Sequence, residues 1–113
     1  MPTRPDIHNL LRSYGILPTL KGHSSLVNLI LLTAEGHPCD RDLLRAQAKQ
    51  EKISLSILLG RLNYAQRVFP ETFFRNSAQR FDGVPSPYRL ILFLAYEANK
   101  AAAHSDDPPE TGP

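Results

Sequence analysis

The segment HSSLVNLILLTAE, residues 23–35, constrains the fold more than any other part of the chain. Leu26, Val27, Leu29, Ile30, Leu31 and Leu32 make a helix here apolar almost all round, and such a helix must be covered on nearly every side. It predicts a central helix with the rest of the chain packed around it. The segment is too short to cross a bilayer, and Gly22, Gly36 and Pro38 bound it, so no membrane span is expected.

The flanking segments read as the cover. Pro5 and Asp6 precede IHNLLRSY, where Ile7, Leu10, Leu11 and Tyr14 recur at helical spacing; Asp6 is suited to cap this first helix and Gly15 to end it. Ser24 or Ser25 is expected near the cap of the central helix. Asp40 is suited to cap a third helix, DLLRAQAKQ, and Ser54 a fourth, LSILLGRLNYAQRVF, with EKIS as the link. Pro70 stops the fourth helix, and ETFFRNSAQRFDG reads as a short helical turn and loop with Phe73, Phe74 and Phe81 as plugs. Ser86 and Pro87 open a last helix whose apolar face is Tyr88, Ile91, Leu92, Ala95 and Tyr96. No segment alternates as a strand does, and no repeat is present. The expectation is one all-α domain over residues 1–100, of five or six helices with an embedded helix-turn-helix, followed by a disordered, acidic, Pro-rich tail over 101–113.

Charge divides along the same boundary. Residues 1–100 hold 13 basic against 8 acidic side chains, and the tail holds only acids, so a body of +5 stands inside a chain of +2. A basic folded body fits a polyanion partner. The opening MPTRPDIHN lacks the apolar stretch of a signal peptide, and the lone Cys39 has no partner for an intrachain disulfide; a cytoplasmic location is expected, with packing as the role of the thiol.

The stretch AKQEKISLSILLGRL has the form of a helix-turn-helix, in which one helix crosses the DNA backbone and the next enters the major groove. Ala48 is the small contact residue, Lys52 occupies the turn position where glycine is common, and Ile53, Leu58 and Leu62 are placed to pack the pair. On a helical wheel Leu55, Leu58, Leu59, Leu62, Ala65, Gln66 and Phe69 share the inward face. The opposite face holds Ser56, Ile57, Gly60, Asn63, Tyr64 and Arg67. Asn63 is suited to the paired hydrogen bonds of adenine, and Arg67 to guanine or a phosphate; Arg61 lies at the flank, where it can assist. Arg41, Arg45 and Lys49 recur every fourth residue and Lys52 continues the line, a stripe suited to phosphates or, alternatively, to solvent alone. Apolar Ile57, Tyr64 and Val68 on the outer side suit a protein partner instead.

Other chemistry is thinly represented. His37, Cys39 and Asp40 are metal-ligand types without a second cluster at ligand spacing, and His23, Ser24 and Ser25 lack a nucleophile turn and an acid partner. Neither a metal, a cofactor nor an enzyme activity is expected.

The order Ile16, Pro18, Lys21, Gly22, apolar helix, helix-turn-helix and a final amphipathic helix led by Pro85 and Ser86 resembles the C-terminal effector domain of the stage zero sporulation protein A family. The loop in YGILPTLKG is similar to that family's Gly-Ile/Val-x-Pro-x-x-x-Lys-Gly corner, and the resemblance covers about residues 7 to 100. It implies a stand-alone response regulator effector domain, without the family's receiver, that binds double-stranded promoter DNA, often as paired copies, and controls transcription in a sporulation-like setting. The contact residues expected from the wheel and the stripe are Arg41, Arg45, Lys49, Lys52, Ser56, Gly60, Arg61, Asn63, Tyr64 and Arg67; the base contacts of that family's recognition helix do not carry over to helix positions that here hold Ile57, Leu59 and Gly60. Control would come from abundance, a ligand or a partner. The alternative is an interaction module derived from that domain, a homodimer or a complex with another regulator, whose DNA-reading surface has changed.

Overall fold

The computed structural model of the protein describes residues 2–69 and 87–106. They form five helices, α1 (Arg4–Ser13), α2 (His23–Ala34), α3 (Arg41–Glu51), α4 (Leu55–Val68) and α5 (Tyr88–Asp106), with no strand among the described residues. The short helical turn expected over ETFFRNSAQRFDG, with its three phenylalanines, lies outside the described residues.

Helix α2 is the hub. It touches each of the other four helices, while α3 also pairs with α4 and α1 with α5. Leu26, Val27, Leu29 and Ile30 are wholly buried, and Leu31 and Leu32 are half-buried at its edge. Truncating one of the buried leucines to alanine would cost roughly 2–5 kcal/mol. No described helix is long and apolar enough to cross a membrane.

Local sequence accounts for where the helices begin. Asp40 accepts from the Leu43 amide at 3.0 Å and Ser54 from the Ile57 amide at 3.1 Å, satisfying first-turn donors that the helix itself leaves unpaired. At α1 the start expected at Asp6 moves back to Thr3. Thr3 accepts from the Asp6 amide at 3.4 Å and the Asp6 carboxylate accepts from the Thr3 amide at 2.8 Å, a reciprocal capping box with Pro5 in the first turn. These bonds hold the Asp6 carboxyl below its usual range. At α2 the expected serine cap is absent: Gly22 occupies the cap position at φ 90° and makes no side-chain bond.

Three helix ends share one device. Ile16, His37 and Ile53 donate to the carbonyls of Leu11, Leu32 and Ala48, and the residues before them, Gly15, Gly36 and Lys52, donate to Arg12, Thr33 and Lys49. This is the Schellman arrangement, which needs a left-handed residue just past the helix. Gly15 and Gly36 meet that need without strain; Lys52, at φ 59°, meets it with a side chain attached. Ile16 is carried straight into the core beside Leu11, so the GILPTLKG loop is an architectural corner.

Helix α5 departs from expectation in the face it buries. Its buried sector runs from Phe93 through Leu90, Leu94 and Ala98 to Ile91 and Ala95, leaving Tyr88, Leu92 and Tyr96 half-buried. The expected face was therefore turned too far toward the tyrosines, whose amphipathic rings suit the boundary with water. The helix also runs on past Lys100 to Asp106. Alanine is the best helix former, and Ala98, Ala101 and Ala102 border a shallow groove with Asn9, Leu10 and Ser13 of α1. Residues 107–113 lie outside the described residues. Asn99 donates to the Ala34 carbonyl at 3.3 Å, tying α5 to the last turn of α2.

Candidate nucleic-acid interface

The wheel drawn for α4 matches its burial. Leu58, Leu62, Ala65 and Phe69 are buried and Leu55, Leu59 and Gln66 half-buried, whereas Ser56, Ile57, Gly60, Asn63, Tyr64 and Arg67 are all exposed. Helix α4 follows α3 after the three-residue turn Lys52–Ser54. Ile53 is half-buried against the core. Ala48, expected as the small contact residue, is buried.

Arg41, Arg45 and Lys49 are exposed on α3 while Leu44, Gln47 and Ala48 face inward, and Lys52 extends the stripe into the turn. Among the described residues none of these four, nor Arg67, takes part in an ion pair. Arg41 stands in the first turn of α3, where the helix dipole disfavours a cation by roughly 0.3–1 kcal/mol, and its neighbours in the stripe repel it. Asp40 and Asp42 stand beside Arg41 at the start of α3, but among the described residues neither forms an ion pair with the stripe, so its cations remain open to a polyanion.

Arg61 belongs to a different arrangement. It pairs with Glu51 at 3.7 Å, and Glu51 also accepts from Ser25 at 2.5 Å and Gln47 at 2.7 Å. One carboxylate at the end of α3 thus joins α2, α3 and α4. Arg61 acts first as a structural cation, half-buried in this network, and its availability to a ligand is partial. Only the Gln47–Glu51 spacing, one helical turn, was visible in the sequence; Ser25 and Arg61 arrive by tertiary packing.

The loop before α2 reaches the same place. A Cβ on Gly22 would sit 3.0 Å from the Cβ of Arg61, so glycine at this position lets the loop lie directly on α4. Thr19, Leu20 and Lys21 consequently face Ile57, Gly60 and Tyr64 across an open groove. Leu17, Ile57, Tyr64 and Val68 are the exposed large hydrophobic side chains of the described fold. The loop's share in this surface has one sequence signal, the glycine at Gly22.

The residues weighed for other chemistry take structural places. Cys39 is half-buried against the core, with Sγ 4.0 Å from the Tyr88 carbonyl oxygen, and burial pushes its thiol up to about 11, keeping it protonated at neutral pH. His37 is exposed beside it, and no group of three metal-ligand side chains occurs among the described residues. His23 is buried, its ring 4.9 Å from that of His8, and its Nε2 has no hydrogen-bond partner. Burial, followed by the nearby His8, lowers its pKa. No family model, curated protein or solved structure matches the chain.

Proposed function

We propose that the protein binds double-stranded DNA and regulates transcription, with α4 as the groove-entering helix of a helix-turn-helix and α3 lying across the backbone. The observation that carries this reading is the set of exposed cations Arg41, Arg45, Lys49, Lys52 and Arg67 on α3, α4 and the short turn between them, without ion pairs among the described residues. Arg41, Arg45, Lys49 and Lys52 hold phosphates, which fix position without reading sequence. Ser56, Asn63 and Arg67 offer donors and acceptors to base edges, Asn63 to adenine and Arg67 to guanine, and Gly60 and Tyr64 form the close surface between them. The resemblance to the sporulation effector domain points the same way. The activity is binding rather than catalysis, needs no cofactor, and belongs in the cytoplasm with the chromosome.

The test is a fluorescence-anisotropy titration against random duplex DNA at low and near-physiological salt. Affinity is expected to fall steeply with salt, and the Arg41→Ala, Arg45→Ala, Lys49→Ala triple variant to lose roughly 2.5 to 3 from the slope of log affinity against log salt. Asn63→Ala is expected to keep the slope and relax preference at one base step. No binding at low salt would refute the reading.

A second reading has its own support in the exposed apolar side chains Ile57, Tyr64 and Val68 along the same helix. On that reading α4 docks a second copy or another regulator. Such an interface would be nearly indifferent to salt, which separates the two.

A further inference from the structure

The groove between the loop and α4 has a volume of about 580 Å³, within the range of small-molecule sites. Its walls are Leu20 on the loop and Ile57 and Tyr64 on the helix, and its cations are Lys21 and Arg61. Its floor is Gly60. That glycine is mid-helix, is not among the positive-φ residues, and would meet nothing within 4 Å if it carried a Cβ. Neither backbone conformation nor packing among the described residues calls for glycine there, although glycine weakens a helix interior. The missing side chain does one thing: it keeps the groove open. Gly22 complements it, because only a residue without a Cβ lets the loop approach Arg61 and bring Lys21 alongside.

Charge selects the occupant. Lys21 is exposed and makes no ion pair among the described residues, and Arg61 holds Glu51 only at 3.7 Å. We propose that the groove binds a small amphipathic carboxylate, its apolar body against Leu20, Ile57 and Tyr64 and its anionic head at Lys21 and Arg61. Ile57, Gly60 and Tyr64 also belong to the face assigned to DNA, so an occupied groove keeps the duplex off α4. Only that exclusion rests on the DNA reading; binding in the groove does not.

The site is tested with anilinonaphthalene sulfonate as a fluorescent anion and decanoate as its competitor, on the full chain without DNA. Decanoate is expected to displace the probe, with decanol at least about tenfold weaker. Lys21→Gln and Gly60→Gln should each weaken decanoate by about tenfold or more, and Gly60→Gln should also raise the melting temperature, which excludes unfolding as the cause. Equal displacement by decanol, or parental behaviour of both variants, would overturn the proposal, as would sedimentation showing a second copy on the groove that decanoate does not release. In a separate arm decanoate is added to the protein–duplex complex. Release supports the exclusion, whereas decanoate binding without release overturns the exclusion and leaves the groove site standing.

Discussion

Replacing Lys52 with glycine should make the protein more stable and a poorer DNA binder at once. Lys52 holds the left-handed position of the α3 end at φ 59° and ψ 40°, the same role that Gly15 and Gly36 play at the ends of α1 and α2. That conformation costs a residue with a Cβ roughly 1–2 kcal/mol. Glycine's extra freedom in the unfolded chain returns roughly 0.4–1 kcal/mol of the gain. A net stabilisation of about 0.5–1 kcal/mol is expected, or about 2–4 °C in Tm for a domain of this size. Urea unfolding reads it as a higher midpoint at unchanged m-value. The backbone bonds from Lys52 to Lys49 and from Ile53 to Ala48 survive the change, so the turn keeps its shape. Lys52→Ala, which keeps the strain and removes the charge, is the control, with little change in stability. Both variants should lose about 0.9 from the salt slope of duplex binding. A glycine variant no more stable than the alanine variant would refute the strain argument; an unchanged salt slope would remove Lys52 from the phosphate contacts.

Three further outcomes follow from the same geometry. Gly60→Ala should stabilise α4 by about 0.8–1 kcal/mol, read by urea midpoint, because a Cβ there meets open space. Glu51→Ala should destabilise by about 2–3 kcal/mol, since Ser25 and Gln47 lose a charged acceptor inside the fold, whereas a double-mutant cycle with Arg61 should give a coupling below about 1 kcal/mol for so long and partly exposed a pair. Burial, followed by the nearby His8, lowers the pKa of His23 below the 6.5 of a free imidazole, so the unfolded chain takes up the proton first as pH falls. Stability should be full above about 6.5, decline below it until the depressed folded pKa is passed, and lose this dependence in His23→Leu.

What the sequence disclosed was local or strongly periodic. Asp40 and Ser54 announce helix starts because a short polar side chain ahead of an apolar-periodic run has one favourable use, and the structure gives each its amide. The burial of α2 and the two faces of α4 followed from hydrophobic spacing. At α1, Thr3 and Asp6 are both capping types, and only the reciprocal bonds decide which one stands outside the helix. The start of α2 misled because Gly22 answers to the Arg61 Cβ on a distant helix, and Ser25 is drawn off to Glu51. Such choices depend on who packs where. The same holds for α5: its alanines look too small to pack until α1 lies beside them, and its true face is set by α2. Of the candidate interface, exposure on α4 and the α3 stripe were legible; the binding of Arg61 to Glu51 and the loop's arrival beside Gly60 were not.

The central claim is that duplex DNA meets the outer faces of α3 and α4. The most direct measurement is a two-dimensional NMR titration of the isotope-labelled protein with a short random-sequence duplex at low salt. The account predicts shifts concentrated at Arg41, Arg45, Lys49, Lys52, Ser56, Gly60, Asn63 and Arg67, with Lys21 at the margin and the amides of α1 and α5 unmoved. Shifts confined to α1 or α5, or none at all, would contradict it.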